Sequence, residues 1–407
     1  MKSKTLTFVG LFSGCGGLDL GFTLAGYKCI AGFDIDKTAI EVHKLNRIGM
    51  DATCLDLSSE TADAQIPLAD ILVAGPPCQG FSTAGKMADN DERNSLLQAV
   101  VRIAKKNNPG MVLVENVPGL VSKRMVHHYN KLIEDLSKLK YSTMKIECNA
   151  AEFGVPQRRK RLFIIAWRDI IQFKGCHSLS EYRKRLVVKD VLSVINPSVT
   201  GHSPKLLAPD SDEYKIAQFI KAGQKFCDVR RGPNSIHSWD IPSVFGDVND
   251  EEREILELVL SLRRKERRRT YGDSDPVFIS RLGELVSFDP NPYIDSLISK
   301  GFLKRIDDCV DFKRAFNGWY RRLDPASYAP TVDTRFGRAK YFLHPTENRG
   351  LTVRETARLQ TFPDNFIFLG TEAEQYRMIG NAVPPILAKT IAEYIADNFV
   401  WNRGAAD

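Results

Sequence analysis

The sequence predicts an α/β protein whose main domain is a doubly wound sheet, with helices on both faces, joined to a smaller and irregular second domain. Three observations support this prediction. Short apolar strands alternate with amphipathic helices as far as residue 185, a glycine-rich turn follows the first strand, and acidic residues follow later strands. The predicted strands lie near Thr7, Ile30, Ile71, Val112, Lys145 and Phe163, and the predicted helices near Ala39, Ala99 and Leu132. Because ligands bind at the carboxyl ends of the strands in such sheets, we expect the functional site there.

Composition narrows the class of protein. The chain has 407 residues, enough for one large and one smaller domain, and a formal net charge of +7. Its eight cysteines form no Cys-x-x-Cys pair, so the sequence indicates neither a metal site nor a disulfide framework. No apolar run is long enough to cross a membrane. The first apolar strand is soon interrupted by glycines and Asp19, so we do not expect a signal peptide.

The segment Phe8–Asp19 has the pattern of a strand, a glycine-rich turn and the start of a helix that continues to about Ala25. Glycines permit a tight turn and allow a ligand to approach the main-chain N–H groups at a helix start. The full Gly-x-Gly-x-x-Gly dinucleotide fingerprint is absent, so this turn alone does not identify a ligand. The next predicted strand ends at Asp34, whose carboxylate could receive ribose hydroxyls. Asp19, Asp34 and Asp56 could instead simply cap turns or helices.

Cys78 follows two prolines directly after the apolar strand around Ile71. A thiol just past a strand end is where an α/β enzyme would present a nucleophile, although a single cysteine is often only a core residue. Glu115 ends the next predicted strand, and the basic loop Gln157–Arg161 leads into another. Glu115 could be an ordinary turn-capping acid, and the loop could be a solvated run of charge. Taken together, these segments indicate a function more specifically than any one of them does.

Together the segments resemble the motifs of the DNA cytosine-5 methyltransferases. The resemblance rests on six motifs in that family's order: Phe12-Ser13-Gly14-Cys15-Gly16-Gly17, Pro76-Pro77-Cys78-Gln79, Glu115-Asn116-Val117, the Gln-x-Arg-x-Arg pattern of Gln157, Arg159 and Arg161, residues 351–363 and residues 380–385. Residues 168–345 carry little that matches. Six ordered motifs are far more specific than any one of them.

The resemblance implies an S-adenosylmethionine-dependent methyltransferase sheet and an enzyme that makes 5-methylcytosine. Cys78 would add to carbon 6 of a cytosine flipped out of the duplex, so that carbon 5 can accept a methyl group. Glu115 would hydrogen-bond the ring nitrogen N3 and the exocyclic amine. Arg161 would face the carbonyl oxygen or phosphate of the target nucleotide, and Arg159 would brace the site. The residues expected to bind S-adenosyl-L-methionine are Phe12, Gly14, Gly16, Gly17, Leu18, Asp34, Ile35, Asp56, Leu57, Pro76, Leu96, Asn381 and Ala382.

We expect DNA contacts from two regions of the chain and from Gln157. The polar segment from Gln79 to Arg93 has a loop's composition and would close over the flipped base. The basic run Arg263–Arg269 ends a predicted helix that begins near Glu251, and it either meets phosphates or is a solvated helix end. The expected DNA-contacting residues are Gln79, Ser82, Arg93, Gln157, Arg263, Arg264, Arg267 and Arg268.

Residues 1–185, completed by residues 376–407, are expected to form the catalytic domain. Residues 186–375, including the motif at 351–363, are expected to form the target-recognition domain. A helix over Pro384–Phe399 would return to the first strand, and Ile294–Arg305 looks like a piece of a winged helix. Two positions depart from the family pattern and could weaken cofactor affinity. Gly10 stands where many members carry an acid, and Ile35 where an aromatic residue often covers the adenine.

The resemblance therefore implies a site-specific DNA methyltransferase of a bacterial restriction–modification system. We expect a cytoplasmic, nucleoid-associated monomer that acts on double-stranded DNA and is paired functionally with a restriction endonuclease. A tRNA cytosine-5 methyltransferase is the second interpretation, although the Cys-Phe-Thr signature of those relatives is absent from this chain. A third is a DNA-binding regulator without activity, which the presence of Cys78 and Glu115 disfavours.

Overall fold

The computed structural model describes residues 5–77, 96–193, 195–270, 272, 274–314 and 316–402, which form two compact units. The first unit consists of Met1–Ser203, Ala326–Thr334 and Val353–Asp407, and the second of Pro204–Pro325 and Arg335–Thr352. In the part of the chain that the structure describes, we find no helix with the length and apolar character needed to span a bilayer.

The first unit opens with alternating strands and helices. Its elements up to residue 203 are β1 (Thr7–Leu11), α1 (Gly17–Leu24), β2 (Lys28–Asp34), α2 (Lys37–Leu45), β3 (Asp51–Cys54), β4 (Ile71–Ala74), α3 (Leu96–Asn107), β5 (Met111–Asn116), α4 (Val126–Lys138), β6 (Ser142–Asn149), β7 (Lys160–Trp167), β8 (Ile171–Phe173) and α5 (Val188–Leu192). The predicted α/β alternation is confirmed. The sequence analysis missed β3, which is a four-residue edge strand too short to show a hydrophobic period.

Seven strands form one sheet in the order β3-β2-β1-β4-β5-β7-β6. The first five are parallel to one another, and β7 is antiparallel to both β5 and β6. The chain moves outward from β1 to β3 and then returns to place β4 beside β1. This reversal creates a crevice beyond the carboxyl ends of β1 and β4, which is where doubly wound folds bind ligands.

The sheet is apolar on both faces because helices cover both. Successive residues of a strand point to opposite faces, so Met111 and Leu113 of β5 join one core while Val112 and Val114 join the other. Helices α1 and α4 contribute to opposite layers, through residues such as Phe22 in the first and Leu132 in the second. Continuous burial of this kind explains why β4 and the first four residues of β5 are all apolar.

The second unit consists of helices and of short strands that form small sheets of two or three strands. In chain order these are α6 (Asp212–Phe219), β9 (Lys225–Cys227), β10 (Ser235–Ile236), α7 (Pro242–Phe245), α8 (Asp250–Lys265), β11 (Val277–Phe278), α9 (Ile279–Gly283), α10 (Asn291–Ser299), β12 (Leu303–Ile306), β13 (Cys309–Phe312), β14 (Asn317–Trp319), β15 (Arg321–Arg322) and β16 (Phe342–Leu343). From α8 to β13 the order is helix, strand, helix, helix, strand, strand. The three strands form an antiparallel sheet in the order β11-β13-β12. This is the arrangement of a winged helix, packed around Val259 and Leu297.

The chain then re-enters the first unit with α11 (Val353–Leu359), α12 (Glu372–Asn381), α13 (Pro385–Asn398) and β17 (Phe399–Trp401). Helix α13 matches the predicted amphipathic helix and packs on α1. The two helices approach so closely that a Cβ on Gly21 would lie 2.3 Å from the Cβ of Ala388. Position 21 therefore has to be glycine for the C-terminal helix to complete the layer.

The expected division into domains needs correction. Residues 186–203 and 326–334, which we expected in the smaller domain, belong to the first unit. Residues 353–375, including most of the motif at 351–363, belong to the first unit and not to the smaller one. The reason is the buried Arg354, whose guanidinium donates to the carbonyl oxygens of Thr200, Pro363 and Phe366. A buried cation needs such partners, and here all of them lie in the first unit.

Candidate active site

A cavity of about 340 Å³ opens in the first unit beyond the carboxyl ends of β1, β2, β4 and β5. It brings together residues from motifs far apart in the sequence. The expected residues that line it are Phe12, Gly14, Gly17, Leu18, Asp34, Ile35, Asp56, Leu57, Pro76, Leu96, Glu115, Arg161, Asn381 and Ala382. The described lining is mainly apolar, with a few carboxylates and two arginines, as is common for a small-molecule site.

Gly16 is the one expected cofactor residue that does not line this cavity. Its φ is +92°, and a Cβ there would lie 2.2 Å from the Cδ1 of Ile48 and 2.8 Å from the Cδ2 of His43. Gly16 therefore allows the turn to pack against Ile48 and His43 and lies outside the cavity lining.

The glycine-rich turn is fastened to the end of β2 by Asp34. One carboxylate oxygen of Asp34 accepts the N–H of Gly14 at 2.8 Å, and the other accepts the N–H of Asp36 at 2.8 Å. Burial raises the pKa of this carboxyl group above its ordinary value. Asp34 thus combines turn capping with a place on the cavity wall, so the two interpretations of the sequence are compatible.

The other two acids singled out in the sequence have distinct positions. Asp56 is exposed and accepts hydrogen bonds from the hydroxyl and N–H of Ser58, which lower the pKa of Asp56. Asp19 is buried away from the cavity and lies 3.0 Å from the Nε2 of His43. A Cβ on Gly10 would lie 2.4 Å from the Asp19 carboxylate. Glycine at position 10, where many family members carry an acid, therefore has a physical reason. The Asp19 carboxylate of α1 occupies the space that a side chain at position 10 would need.

Glu115 and Arg161 form the charged part of the cavity. Arg161 Nε lies 2.7 Å from Glu115 Oε1, and both side chains are nearly buried. They meet because β5 and β7 are antiparallel neighbours and both side chains lie at the same end of the sheet. The second oxygen of Glu115 faces Gly75, where an ideal Cβ would lie 3.9 Å from it. The carboxyl group is thus oriented toward the Gly75–Pro77 segment.

Two residues of the Gln-x-Arg-x-Arg pattern, Gln157 and Arg159, are buried. Gln157 is 0% exposed, so the expected DNA contact is wrong. Its side chain donates to Gln360 and accepts the N–H of Val332. Arg159, which we grouped with the catalytic residues as a brace, is 2% exposed and does not line the cavity, so it has no place from which to touch a substrate directly.

The contacts of Arg159 agree with the bracing role expected for it. Its guanidinium donates to the carbonyl oxygens of Val332, Gly380 and Ala382 at 2.8–3.1 Å. Gln360 donates to the same Ala382 oxygen at 2.6 Å. Because Asn381 and Ala382 line the cavity, this buried network fixes one side of it.

The basic run at the end of α8 divides into buried and exposed residues. Arg263 is 8% exposed, pairs with Asp311 at 3.1 Å and lies over the ring of Phe312, so the expected DNA contact of Arg263 is wrong. It falls one helical turn after Val259, on the face of α8 that packs into the core. Arg264, Arg267 and Arg268 are exposed.

Four expected residues and one expected element lie outside the described residues: Cys78, Gln79, Ser82, Arg93 and the loop Gln79–Arg93. The sequence analysis also missed residues that do line the cavity, including Cys15 and Arg377. Burial raises the pKa of the Cys15 thiol to about 12. Arg377 could have been found, because it precedes Asn381 by four residues on α12 and so shares its helical face.

Comparison with known proteins gives the family. The model for the C-5 cytosine-specific DNA methylase family matches residues 6–397. The type II methyltransferase M.HgiBI of Herpetosiphon aurantiacus is 30% identical over 424 residues, which cover 93% of this chain and 94% of that protein. The type II methyltransferase M.BanI of Aneurinibacillus aneurinilyticus is 30% identical over 435 residues, which cover 98% and 97%.

A solved structure agrees with these relatives. A DNA modification methyltransferase encoded within an E. coli prophage is 25% identical, with a TM-score of 0.53, and the match covers 97% of this chain and 99% of that one. The sheet is that of a methyltransferase. The chain belongs to the C-5 cytosine-specific DNA methylase family and is an enzyme of the DNA cytosine-5 methyltransferase class.

We expect Arg159→Met to destabilise the first unit. The change removes the Arg159 donor from the carbonyl oxygens of Val332 and Gly380, while the Ala382 oxygen keeps the hydrogen bond from Gln360. Each unsatisfied buried group costs about 1–3 kcal/mol, so the free energy of unfolding should fall by roughly 3 kcal/mol. Urea denaturation measures this change. Arg158→Ala is the matched control, since its side chain is exposed and should change stability by less than about 0.5 kcal/mol. Equal effects of the two substitutions would contradict the bracing role of Arg159.

Proposed function

We propose that this enzyme transfers a methyl group from S-adenosyl-L-methionine to carbon 5 of a cytosine flipped out of duplex DNA. The observation that carries this proposal is the orientation of Glu115. Arg161 holds one of its oxygens while the other faces the segment Gly75–Pro77, which leads directly to Cys78. A carboxyl group and a nucleophile from neighbouring strand ends would thus share one cavity with the glycine-rich turn.

The cavity fits the cofactor in size and in the chemistry of its walls. Its volume of about 340 Å³ lies in the range of about 300–1,000 Å³ that is usual for small-molecule sites. A Cβ on Gly75 would meet nothing closer than 3.7 Å, so a side chain there would extend into the space that the cofactor needs. The Asp34 carboxylate can accept hydroxyl hydrogens, and Leu55 and Leu57 offer apolar contact. When bound, S-adenosylmethionine supplies a methyl group activated by a positively charged sulfur.

The residues of the chain would prepare the base for this methyl group. The Cys78 thiolate adds to carbon 6 of the ring, and the electrons of the 5,6 double bond make carbon 5 nucleophilic. Glu115 hydrogen-bonds N3 and the exocyclic amine, and so stabilises the ring as the sulfur adds. Arg161 orients Glu115 and presents its guanidinium to the target nucleotide. After carbon 5 has bonded to the methyl group, a base takes the carbon 5 proton, and the electrons of that C–H bond form the 5,6 double bond as the Cys78 sulfur leaves as a thiolate.

The second unit would select the DNA sequence. In the winged-helix segment, the exposed side chains of Arg264, Arg267 and Arg268 would contact phosphates of the duplex. Asp275 supports this loop, because its carboxylate accepts the backbone N–H groups of Arg268 and Arg269, and these bonds lower the pKa of Asp275. The segment Gln79–Arg93, with Gln79, Ser82 and Arg93, would close over the flipped base.

The similar proteins suggest the biological role. Several curated relatives are type II methyltransferases, with matches that cover nearly the whole of both chains. We infer that this enzyme also protects a specific DNA sequence from a cognate restriction endonuclease. It would act in the bacterial cytoplasm as a monomer.

The test of the function is covalent trapping together with methyl transfer. Wild-type protein should transfer labelled methyl groups from S-adenosylmethionine to duplex DNA, and duplex containing 5-fluorocytosine should trap it as a covalent complex on a denaturing gel. Cys78→Ala should abolish both results, whereas Cys54→Ala, which removes an exposed thiol, should preserve both. Transfer to tRNA alone would replace this proposal with an RNA substrate, and a fully active Cys78→Ala enzyme would refute the assigned nucleophile.

We expect Glu115→Gln to slow methyl transfer by a factor of about 100 or more, because a positioned acid typically contributes that much. The amide keeps the size of the side chain and can still donate a hydrogen bond, but it has no acidic proton to transfer to the ring. Single-turnover rates with saturating DNA measure the effect. Glu147→Gln on β6, an exposed carboxyl group in the same unit, is the control and should leave the rate unchanged. An unaltered rate for Glu115→Gln would remove Glu115 from the mechanism.

We expect Asp34→Asn to weaken binding of S-adenosylmethionine by about 10- to 100-fold. The substitution replaces one of the two carboxylate oxygens of Asp34 with an NH2 group and removes the negative charge. Hydrogen bonds to a charged group contribute about 1.5–3 kcal/mol, so the contact with the cofactor hydroxyls should weaken by that amount. Isothermal titration with S-adenosylmethionine, without DNA, gives the dissociation constant. Asp51→Asn, at an exposed position that begins β3, should bind as the wild type does. Wild-type affinity in Asp34→Asn would show that Asp34 only caps the turn.

A further inference from the structure

The first unit carries a basic surface of its own, built from residues other than the run at 263–269. It surrounds a cleft of about 400 Å³ that is lined by Ala151, Glu152, Arg183, Lys184, Arg185 and Tyr328. Arg158 lies beside it, since its N–H donates to the carbonyl oxygen of Ala329, the residue after Tyr328. We define the cationic patch as Arg158, Lys184 and Arg185.

Three chain segments that are distant in sequence build the patch. The N–H of Gly154 donates to the Lys184 oxygen at 2.7 Å, and the N–H of Lys184 donates to the Glu152 oxygen at 2.9 Å. The N–H of Ala329 donates to the Pro156 oxygen at 2.9 Å. These backbone bonds hold the cations on a supported surface, so fewer degrees of freedom are lost when they bind a ligand.

The charge of the patch is uncompensated. Arg183 pairs with Glu152 at 2.9 Å, but within the described ranges no carboxylate forms an ion pair with Arg158, Lys184 or Arg185. Arg185 lies 5.9 Å from the centre of the Tyr328 ring, which supports the guanidinium from one side. Three exposed cations in this setting favour a polyanionic ligand.

The patch is close to the reaction along the chain. Arg158 precedes Arg161 by three residues, which is about 10 Å of extended backbone, and Arg161 lines the cavity. In duplex DNA, phosphates of one strand follow each other at about 3.4 Å along the axis, so this distance corresponds to about three nucleotides. A strand whose base enters the cavity would carry its neighbouring phosphates toward the patch.

We propose that the cationic patch binds the phosphate backbone of the substrate duplex within a few nucleotides of the flipped cytosine. This inference rests on the proposed function. Because phosphates carry no base identity, the patch would position the duplex on the catalytic unit without selecting its sequence.

The test compares two double variants of the full-length protein. Arg158→Ala/Arg185→Ala removes two cations of the patch, and Lys105→Ala/Lys106→Ala removes two exposed cations in the last turn of α3 as a matched control. Fluorescence anisotropy gives the dissociation constant for duplexes with and without the recognised sequence, over a series of salt concentrations. Thermal unfolding and S-adenosylmethionine titration check that both variants keep their fold.

We expect the patch variant to lower the slope of log affinity against log salt by about 1.8, which is the loss of two phosphate contacts. Over the tenfold range from about 1 M to 0.1 M salt, a change of about 1.8 in the slope is a factor of about 60. The patch variant should therefore lose up to about 60-fold in affinity at 0.1 M salt, compared with the wild type, if the two proteins bind equally at 1 M salt. The loss should be equal for both duplexes, and the control should keep the wild-type slope. An unchanged slope, a loss confined to the recognised sequence, or an equal loss in the control would each overturn the inference.

The two proposals fail separately. If the wild-type protein is not trapped by 5-fluorocytosine duplex, the proposed function fails. If it is trapped normally and the patch variant binds DNA with the wild-type salt dependence, only the role of the patch fails. Weaker binding of single-stranded RNA by the patch variant, without any effect on duplex DNA, would point to a different nucleic acid and would overturn the inference.

Discussion

The carbonyl oxygen of Ala382 is the point on which much of the first unit depends. Arg159 and Gln360 both donate to it, and Gln157 connects Gln360 to the backbone of Val332. Four segments that are far apart in the chain are therefore joined in one buried polar network. An unsatisfied buried polar group costs free energy. Displacing any one of these segments would therefore leave polar groups on the others without partners and would destabilise the unit. The network makes residues from the end of the chain part of the catalytic unit.

This attachment defines the shape of the active-site cavity. The glycine-rich turn, the ends of β4 and β5, and the segment at Asn381 and Ala382 form its walls. Within it two carboxylates are held by hydrogen bonds or an ion pair: Asp34 accepts the N–H of Gly14, and Glu115 pairs with Arg161. Preorganised groups of this kind suit a reaction in which a ring must be stabilised while a nucleophile adds. In the proposed reaction, the apolar remainder of the wall would keep water away from the methyl donor.

Each of the two units carries its own cluster of exposed positive charge. In the second unit, basic side chains follow α8 in a loop supported by Asp275. In the first unit, the cationic patch is supported by backbone bonds among three segments. Phosphate contacts set the orientation of a duplex, whereas base contacts select its sequence. A division of these tasks between a catalytic and a recognition unit would let the recognised sequence change without altering the chemistry.

Local sequence pattern was enough to predict the class of fold, the order of the motifs, the positions of Asp34 and Glu115 at the ends of their strands, and that of Arg161 at the start of its strand. It could not determine which members of a charged run are exposed. Arg159 and Arg161 lie two residues apart in one basic loop, and composition alone does not separate them, yet Arg159 donates to a buried carbonyl oxygen and Arg161 lines the cavity. Arg263 and Arg264 are adjacent, yet only the first packs against β13. Burial of these side chains is decided by partners far away in the chain: Gln157 meets Gln360, 203 residues later. Only the tertiary structure brings such partners together, since the free energy of burying a polar group depends on the acceptors that surround it in the folded protein.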